Sequence, residues 1–189
     1  MRIAGGPFTW ILVVLSILPV VRTVQADHVD EYLLKAAMVR NFARFVRWPD
    51  DSRSLPDGEP LWLCIMGDDR VADGFSNISD KKVNGRFIDM DRVDRVSAIS
   101  SCDILFVSRT TTTHPTRIIE AASAGAMLTV GETEEFARAG GMIIFKEEDG
   151  RIGFQINLKA TRGAGLTVSS TLLELAIIID PASAGEETR

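Results

Sequence analysis

Two histidines (His28, His114) and two cysteines (Cys64, Cys102) are the whole imidazole and thiol inventory of this 189-residue chain. Neither a three-histidine nor a four-cysteine metal site can be assembled from them. Both pairs are widely separated, so no paired-ligand zinc spacing exists. A Ser-His-Asp hydrolase would have to use one of the two histidines. His28 lies close to the start of the chain. His114 closes the run Arg109-Thr110-Thr111-Thr112-Thr113-His114-Pro115, but no Gly-x-Ser-x-Gly elbow accompanies it. That run can be read in two ways. Free N–H groups and hydroxyls at a helix start can hold a phosphate or carboxylate. Alternatively, a Thr caps the helix and Pro115 occupies its first turn. The glycines of the phosphate-binding fingerprints are missing, which favours the second. Asp68-Asp69 offers two carboxylates to a cation but no third or fourth ligand, and reads as a solvated turn. Gly163-Ala164-Gly165 lacks the third glycine of a dinucleotide site and reads as a turn. The expectation is a protein with no catalytic residue, no metal and no cofactor.

Charge excludes another class. Lys and Arg number 21 against 26 Asp and Glu, a formal net charge of −5. No basic footprint for a nucleic acid is present.

The first 26 residues read as an export signal. Arg2 precedes the apolar run Phe8 to Val21 (FTWILVVLSILPVV), Pro19 interrupts it, and Val24-Gln25-Ala26 offers small residues at the exit. The run is shorter than the ~20 residues a spanning helix needs. Cleavage after Ala26, export and no remaining membrane span are the expectations. Residues 27–180 then form a single domain and 181–189 a flexible tail.

The candidate residues need a scaffold. Asp30 to Trp48 predicts a helix, with Leu34, Met38, Phe42 and Phe45 three or four apart and Trp48-Pro49 ending it. Leu61–Met66 (LWLCIM), Asp103–Val107 and Ala126–Val130 are short apolar runs suited to strands buried on both faces. Arg86–Asp91 is a more polar edge strand. Thr116–Ala124 and Glu134–Ala139 predict helices, the second capped by Thr133 and stopped by Gly140-Gly141. Met142–Lys146 and Arg151–Leu158 flank a turn with Gly150, a hairpin signal. Ser169–Ile179 predicts a closing helix. The order predicts an α/β three-layer sandwich: a mostly parallel central sheet of about six strands with an antiparallel C-terminal hairpin. Ligands of such folds sit at the carboxyl ends of the strands. Those ends are Gly67-Asp68-Asp69, Ser108 to His114, and Gly131-Glu132. They make Gly67, Asp68, Ser108, Arg109, Thr110, Thr113 and His114 a candidate ligand loop.

The blocks KAAMVRNFARFVRWP (Lys35 to Pro49), Leu63 to Asp69 (LCIMGDD) and Cys102 to Ser108 resemble the YfiR family of small periplasmic proteins. So do Leu128-Thr129-Val130, Phe136, Gly140-Gly141-Met142-Ile143, Phe145, Phe154 to Asn157, and Leu166 through Ala176. The similarity runs in order along nearly all of the mature chain. It implies a non-enzymatic regulator that binds the periplasmic domain of a membrane signalling protein, a diguanylate cyclase. Such binding would lower cyclic-di-GMP and biofilm formation, and dimerisation and redox sensitivity are family themes, which implies a homodimer. A second cysteine pair found near the final hairpin of some members is absent between Met142 and Leu158.

Cys64 and Cys102 match the other family pair. In an oxidising compartment an even count suggests a bridge, whereas free cysteines are also common buried residues. In a flavodoxin-like strand order the strands carrying them are neighbours. The bridge then depends on register, which must bring the middle of one strand beside the start of the other.

Overall fold

The computed structural model describes residues 25–49 and 59–179. The signal run Phe8 to Val21 and the tail 181–189 lie outside the described residues. The chain begins with helix α1 (Gln25–Phe45), which starts two residues ahead of the expected cleavage point, and a two-residue strand β1 (Val46–Arg47). Then come β2 (Leu61–Met66), α2 (Asp69–Phe75), a 3₁₀ turn at Ser76–Ile78, β3 (Lys82–Val83) and β4 (Arg86–Arg92). A second 3₁₀ turn, Val96–Ser101, leads to β5 (Ile104–Val107), α3 (Pro115–Ala122), β6 (Leu128–Gly131) and α4 (Glu134–Arg138). The chain continues through β7 (Ile143–Glu148), β8 (Arg151–Asn157), α5 (Leu158–Gly163), β9 (Thr167–Val168), α6 (Ser170–Leu173) and β10 (Ile177–Ile179).

Eight strands form one sheet in the order β10-β8-β7-β6-β5-β2-β4-β3, and β1 pairs with β9 in a small antiparallel ribbon. The central run β4-β2-β5-β6-β7 is parallel, whereas β8 is antiparallel to β7 and β3 to β4. The chain goes from β2 outward to β4 and then returns to the other side of β2 as β5. The switch point of the sheet therefore lies between β2 and β5, where a crevice opens at the carboxyl ends.

Both faces of the sheet are covered, which is why its strands read as continuous apolar runs. Leu63, Ile65, Phe106, Val130 and Phe145 point to the side of α1 and α2. Cys64, Met66, Leu105, Val107 and Ile144 point to the side of α3, α4 and the Val96–Ser101 turn. On the first side Phe42 lies 4.8 Å from Phe154 and Phe75 4.5 Å from Phe106, centroid to centroid.

Local chemistry sets the boundaries. Thr133 caps α4 by accepting the Phe136 N–H at 3.1 Å. Asn157 caps α5 and Ser169 caps α6 in the same way. Asp149 and Gly150 both take positive φ (51° and 70°), the geometry of a two-residue hairpin turn.

Several expectations change. The central sheet has eight strands rather than six. The predicted closing helix Ser169–Ile179 keeps its Ser169 cap but stops at Leu173, because Ile177–Ile179 pairs with β8 as an edge strand; β-branched residues suit that role. The first helix ends at Phe45, since Val46 and Arg47 pair with Val168 and Thr167. Its buried stripe is Tyr32, Lys35, Ala36, Val39, Phe42 and Ala43, whereas Leu34 is exposed. Arg86–Arg92 is not the edge: β3 lies alongside its start, joined to it by a turn through Asn84 and Gly85, both at positive φ. The cap of α3 is His114 rather than a threonine.

Candidate functional site

The crevice between β2 and β5 begins with a close approach. A Cβ on Gly67 would lie 2.9 Å from the Ser108 Cβ, so only glycine lets the two strand ends converge. Ser108 continues the ladder with its N–H on the Met66 carbonyl at 2.9 Å. Thr110 then ties the loops together: its Oγ1 accepts the Asp68 N–H at 3.0 Å, and its own N–H donates to Ser108 Oγ at 3.2 Å. The sequence-predicted Gly67, Asp68, Ser108, Arg109 and Thr110 thus meet at one place.

His114 serves elsewhere, with Thr113 next to it in the chain. The His114 Nδ1 accepts the Thr116 N–H at 3.4 Å, at the start of α3. Asp68 is also occupied, as the cap of α2, with its carboxylate on the Val71 N–H (3.2 Å) and Arg70 (3.0 Å). Burial opposes its ionisation, but these hydrogen bonds prevail and hold its pKa below the ordinary carboxylate value.

The heart of the crevice is a charge cluster, of which the sequence reading singled out Arg109 and the Gly131-Glu132 strand end but not Tyr32, Lys35 or Glu31. From α1, Tyr32 places its hydroxyl 3.2 Å from Ser108 Oγ and donates to Glu132 Oε2 at 3.4 Å. One turn on, the Lys35 ammonium bonds the carboxylates of both Glu31 and Glu132. The Lys35 and Glu132 side chains are only 3% and 1% exposed. Arg109 closes the set. Its backbone N–H donates to Glu132 Oε2 at 2.8 Å and its guanidinium pairs with Glu31 and Glu132. Two cations and two carboxylates compensate one another, which is what makes the burial of Lys35 and Glu132 tolerable, while Arg109 stays half-exposed. The Lys35 ammonium also stands 5.2 Å from the Tyr32 ring centroid and 5.7 Å from that of Phe145.

Burial pushes the Tyr32 phenol up to about 12, with the Glu132 charge adding to the shift and the Ser108 bond opposing it. Burial acts against the charge on Arg109, yet Glu132 and Glu31 outweigh it and raise its pKa. The phenol stays protonated and the guanidinium charged, so the cluster is a set of fixed hydrogen-bond donors and charges.

Beside it opens a pocket of about 300 Å³ whose lining includes Lys35, Arg109, Glu132, Phe145, Lys146 and Ile152. No group of three or more His, Cys, Asp or Glu residues able to hold a metal occurs among the described residues. No helix among them is long and apolar enough to cross a membrane.

Cys64 and Cys102 are joined by a disulfide with a Cα separation of 5.8 Å. The ladder pairs Cys64 with Leu105, not with Cys102. The bridge forms because Cys102, leaving the Val96–Ser101 turn, lies on the same face of the sheet as Cys64, and both belong to the second core cluster.

Only the Gly131-Glu132 strand end in the sequence hinted at Glu132. Lys35 sits on the buried stripe of α1 and Glu132 lies 97 residues away, so no local pattern joins them.

A conserved domain protein of known structure from Vibrio cholerae O1 biovar eltor shares the fold. Its TM-score is 0.52 at 11% identity, over 79% of this chain and 60% of that one. This chain therefore matches less than two thirds of that protein's length. A family model described as YfiR/HmsC-like matches residues 32–177. That span runs from Tyr32 in the crevice to the first residue of β10 and takes in Lys35, Ser108, Arg109 and Glu132, so the chain belongs to the YfiR/HmsC-like family.

Proposed function

We propose that this protein is a periplasmic regulator that restrains a membrane-bound diguanylate cyclase by binding its periplasmic region. In this reading it is not an enzyme, and it lowers cyclic-di-GMP and biofilm formation. Residues 1–26 are a signal peptide removed on export, and residues 27–180 act as one domain. The family match over residues 32–177 carries the proposal, since it supports a periplasmic regulatory role in general. The crevice agrees with it. Where a sheet of this order would seat a substrate, α1 inserts Tyr32 and Lys35, already engaged by Ser108, Glu132 and Glu31. Deleting the gene should raise cellular cyclic-di-GMP and supplying it on a plasmid should lower it again. Levels that stay the same in a strain that expresses the protein would refute the reading.

A second reading is a small-molecule-binding module at the carboxyl ends of the strands. The pocket of about 300 Å³ beside Arg109 and Lys146 favours it. Calorimetry with nucleotides, amino acids and cofactors tests it directly. Bound ligand could also tune affinity for a protein partner if it preferred one state.

A further inference from the structure

The two faces of β4 are covered unequally. Ile88 is 2% exposed and belongs to the core on the α1 side. The opposite face carries Phe87, Asp89 and Asp91, all exposed. Trp62 pairs in register with Asp89 and so shares that face. Trp62 is 37% and Phe87 47% exposed. Topology explains the gap. The crossover from β2 to β4 runs through α2, on the other side of the sheet. The return from β4 to β5 is the short Val96–Ser101 turn, which packs on α3 and over Cys64 and Cys102, leaving β4 uncovered.

We propose that the face formed by Trp62, Phe87, Asp89 and Asp91 is the docking surface for the regulated partner, and that the partner presents an extracytoplasmic segment in which Arg or Lys alternates with apolar residues. The inference rests on the regulatory reading above and adds where and by what chemistry the partner is held. Charge selects the occupant. Nearby acids are already paired, Asp69 with Arg92 (3.1 Å) and Asp94 with Arg95 (3.3 Å). Asp89 and Asp91 form no ion pair among the described residues. The aromatics point the same way. The Phe87 ring already has a cation, the Lys82 ammonium 4.5 Å from its centroid, which leaves it an apolar contact for the partner, whereas an indole such as Trp62 is the ring best suited to an incoming cation. Aromatic anchors within a polar rim are the usual anatomy of strong contacts. A second copy of this chain fits poorly. A two-fold pairing of the face would bring two Asp89–Asp91 rows into one desolvated interface.

The test uses the full-length exported protein in living cells. A photoreactive phenylalanine analogue replaces Phe87 and, separately, Ile178 on the exposed edge strand β10. Crosslinking from position 87 to a membrane protein, mapped to an Arg- or Lys-bearing extracytoplasmic peptide, is expected. The charge reversal D89K/D91K should cut that yield about tenfold while the melting temperature of the purified variant stays within a few degrees. A product that is a second copy of this chain, crosslinking only from position 178, no product from position 87, or a yield indifferent to the reversal would each overturn the docking face. Cyclic-di-GMP in the complemented deletion strain separates the two proposals. If the wild-type protein fails to lower it, the regulatory reading falls and the docking face with it. If wild type and D89K/D91K lower it equally, only the docking face falls.

Discussion

Lys35 in α1 and Glu132 after β6 form an ion pair with 3% and 1% of their side chains exposed. Orphaning a buried charge costs about 3–5 kcal/mol, but Lys35 keeps Glu31 and Glu132 keeps Arg109 when the other is removed, so a loss of about 1–3 kcal/mol is expected. Lys35→Met and Glu132→Gln should each destabilise the protein by that order in urea denaturation. The double variant should lose less than the sum of the two. Additive losses would show that the two groups are not coupled.

Tyr32 is the chain's single tyrosine, so phenolate absorbance reports on it alone. Its pKa rises from 10.0 to about 12 in the fold, first through burial. The unfolded chain therefore releases this proton before the native one does. Stability is fully present below pH 10 and falls as the pH climbs toward 12, by about 2–3 kcal/mol from this group. Tyr32→Phe should remove the alkaline step, and a native titration midpoint near 10 would contradict the buried hydroxyl.

Gly74 of α2 faces Tyr32, and a Cβ placed there would lie 2.4 Å from the Tyr32 Cβ and 3.3 Å from its backbone. Gly74→Ala must push α1 off α2 and should cost about 1–3 kcal/mol. Gly125→Ala, with nothing within 4 Å of the new methyl, should be close to neutral. Equal melting temperatures for the two variants would argue against the tight α1–α2 contact.

The Cys64–Cys102 bridge spans 38 residues. A loop of that size is worth about 3–4 kcal/mol through restriction of the unfolded chain. Paired Cys64→Ala and Cys102→Ala substitutions should lower stability by that order, read by thermal unfolding. Alkylation of denatured, non-reduced protein should label neither cysteine, and two labels in protein isolated without reductant would refute the bridge.

Asp68→Ala removes the cap of α2 and should cost about 1 kcal/mol near neutral pH. The wild-type carboxyl titrates below its ordinary value because the hydrogen bonds from Arg70 and Val71 overcome its burial. Its contribution is present above pH 4 and is lost as the pH falls through the native pKa. The two stability curves should therefore converge in acid; a gap that persists there would show that the cap does not depend on the charge.

Local signals were legible where one residue decides one boundary. Leu61–Met66, the Thr133 cap and the hairpin at Gly150 stand where the sequence puts them. Tertiary competition defeated the rest. Ser170 to Ile179 has helix-compatible spacing, yet the edge of β8 captured its last three residues. An apolar-stripe reading of α1 chose Leu34, whereas the buried stripe includes charged Lys35, whose partners make burial tolerable. The loop residues of the crevice could be found from strand ends. The α1 groups that fill it, Tyr32 and Lys35, could not, because they meet Glu132 only once the sheet has closed.

The disulfide also has a mechanical meaning. It ties β2 to Cys102, two residues before β5, so β3, β4 and most of the face bearing Phe87 belong to a covalent ring. A pull on the two ends of the chain cannot straighten those 38 residues. At about 3.4 Å each, roughly 130 Å of contour stays hidden until the bridge is reduced. Force spectroscopy on the purified protein with and without reductant should differ by that length.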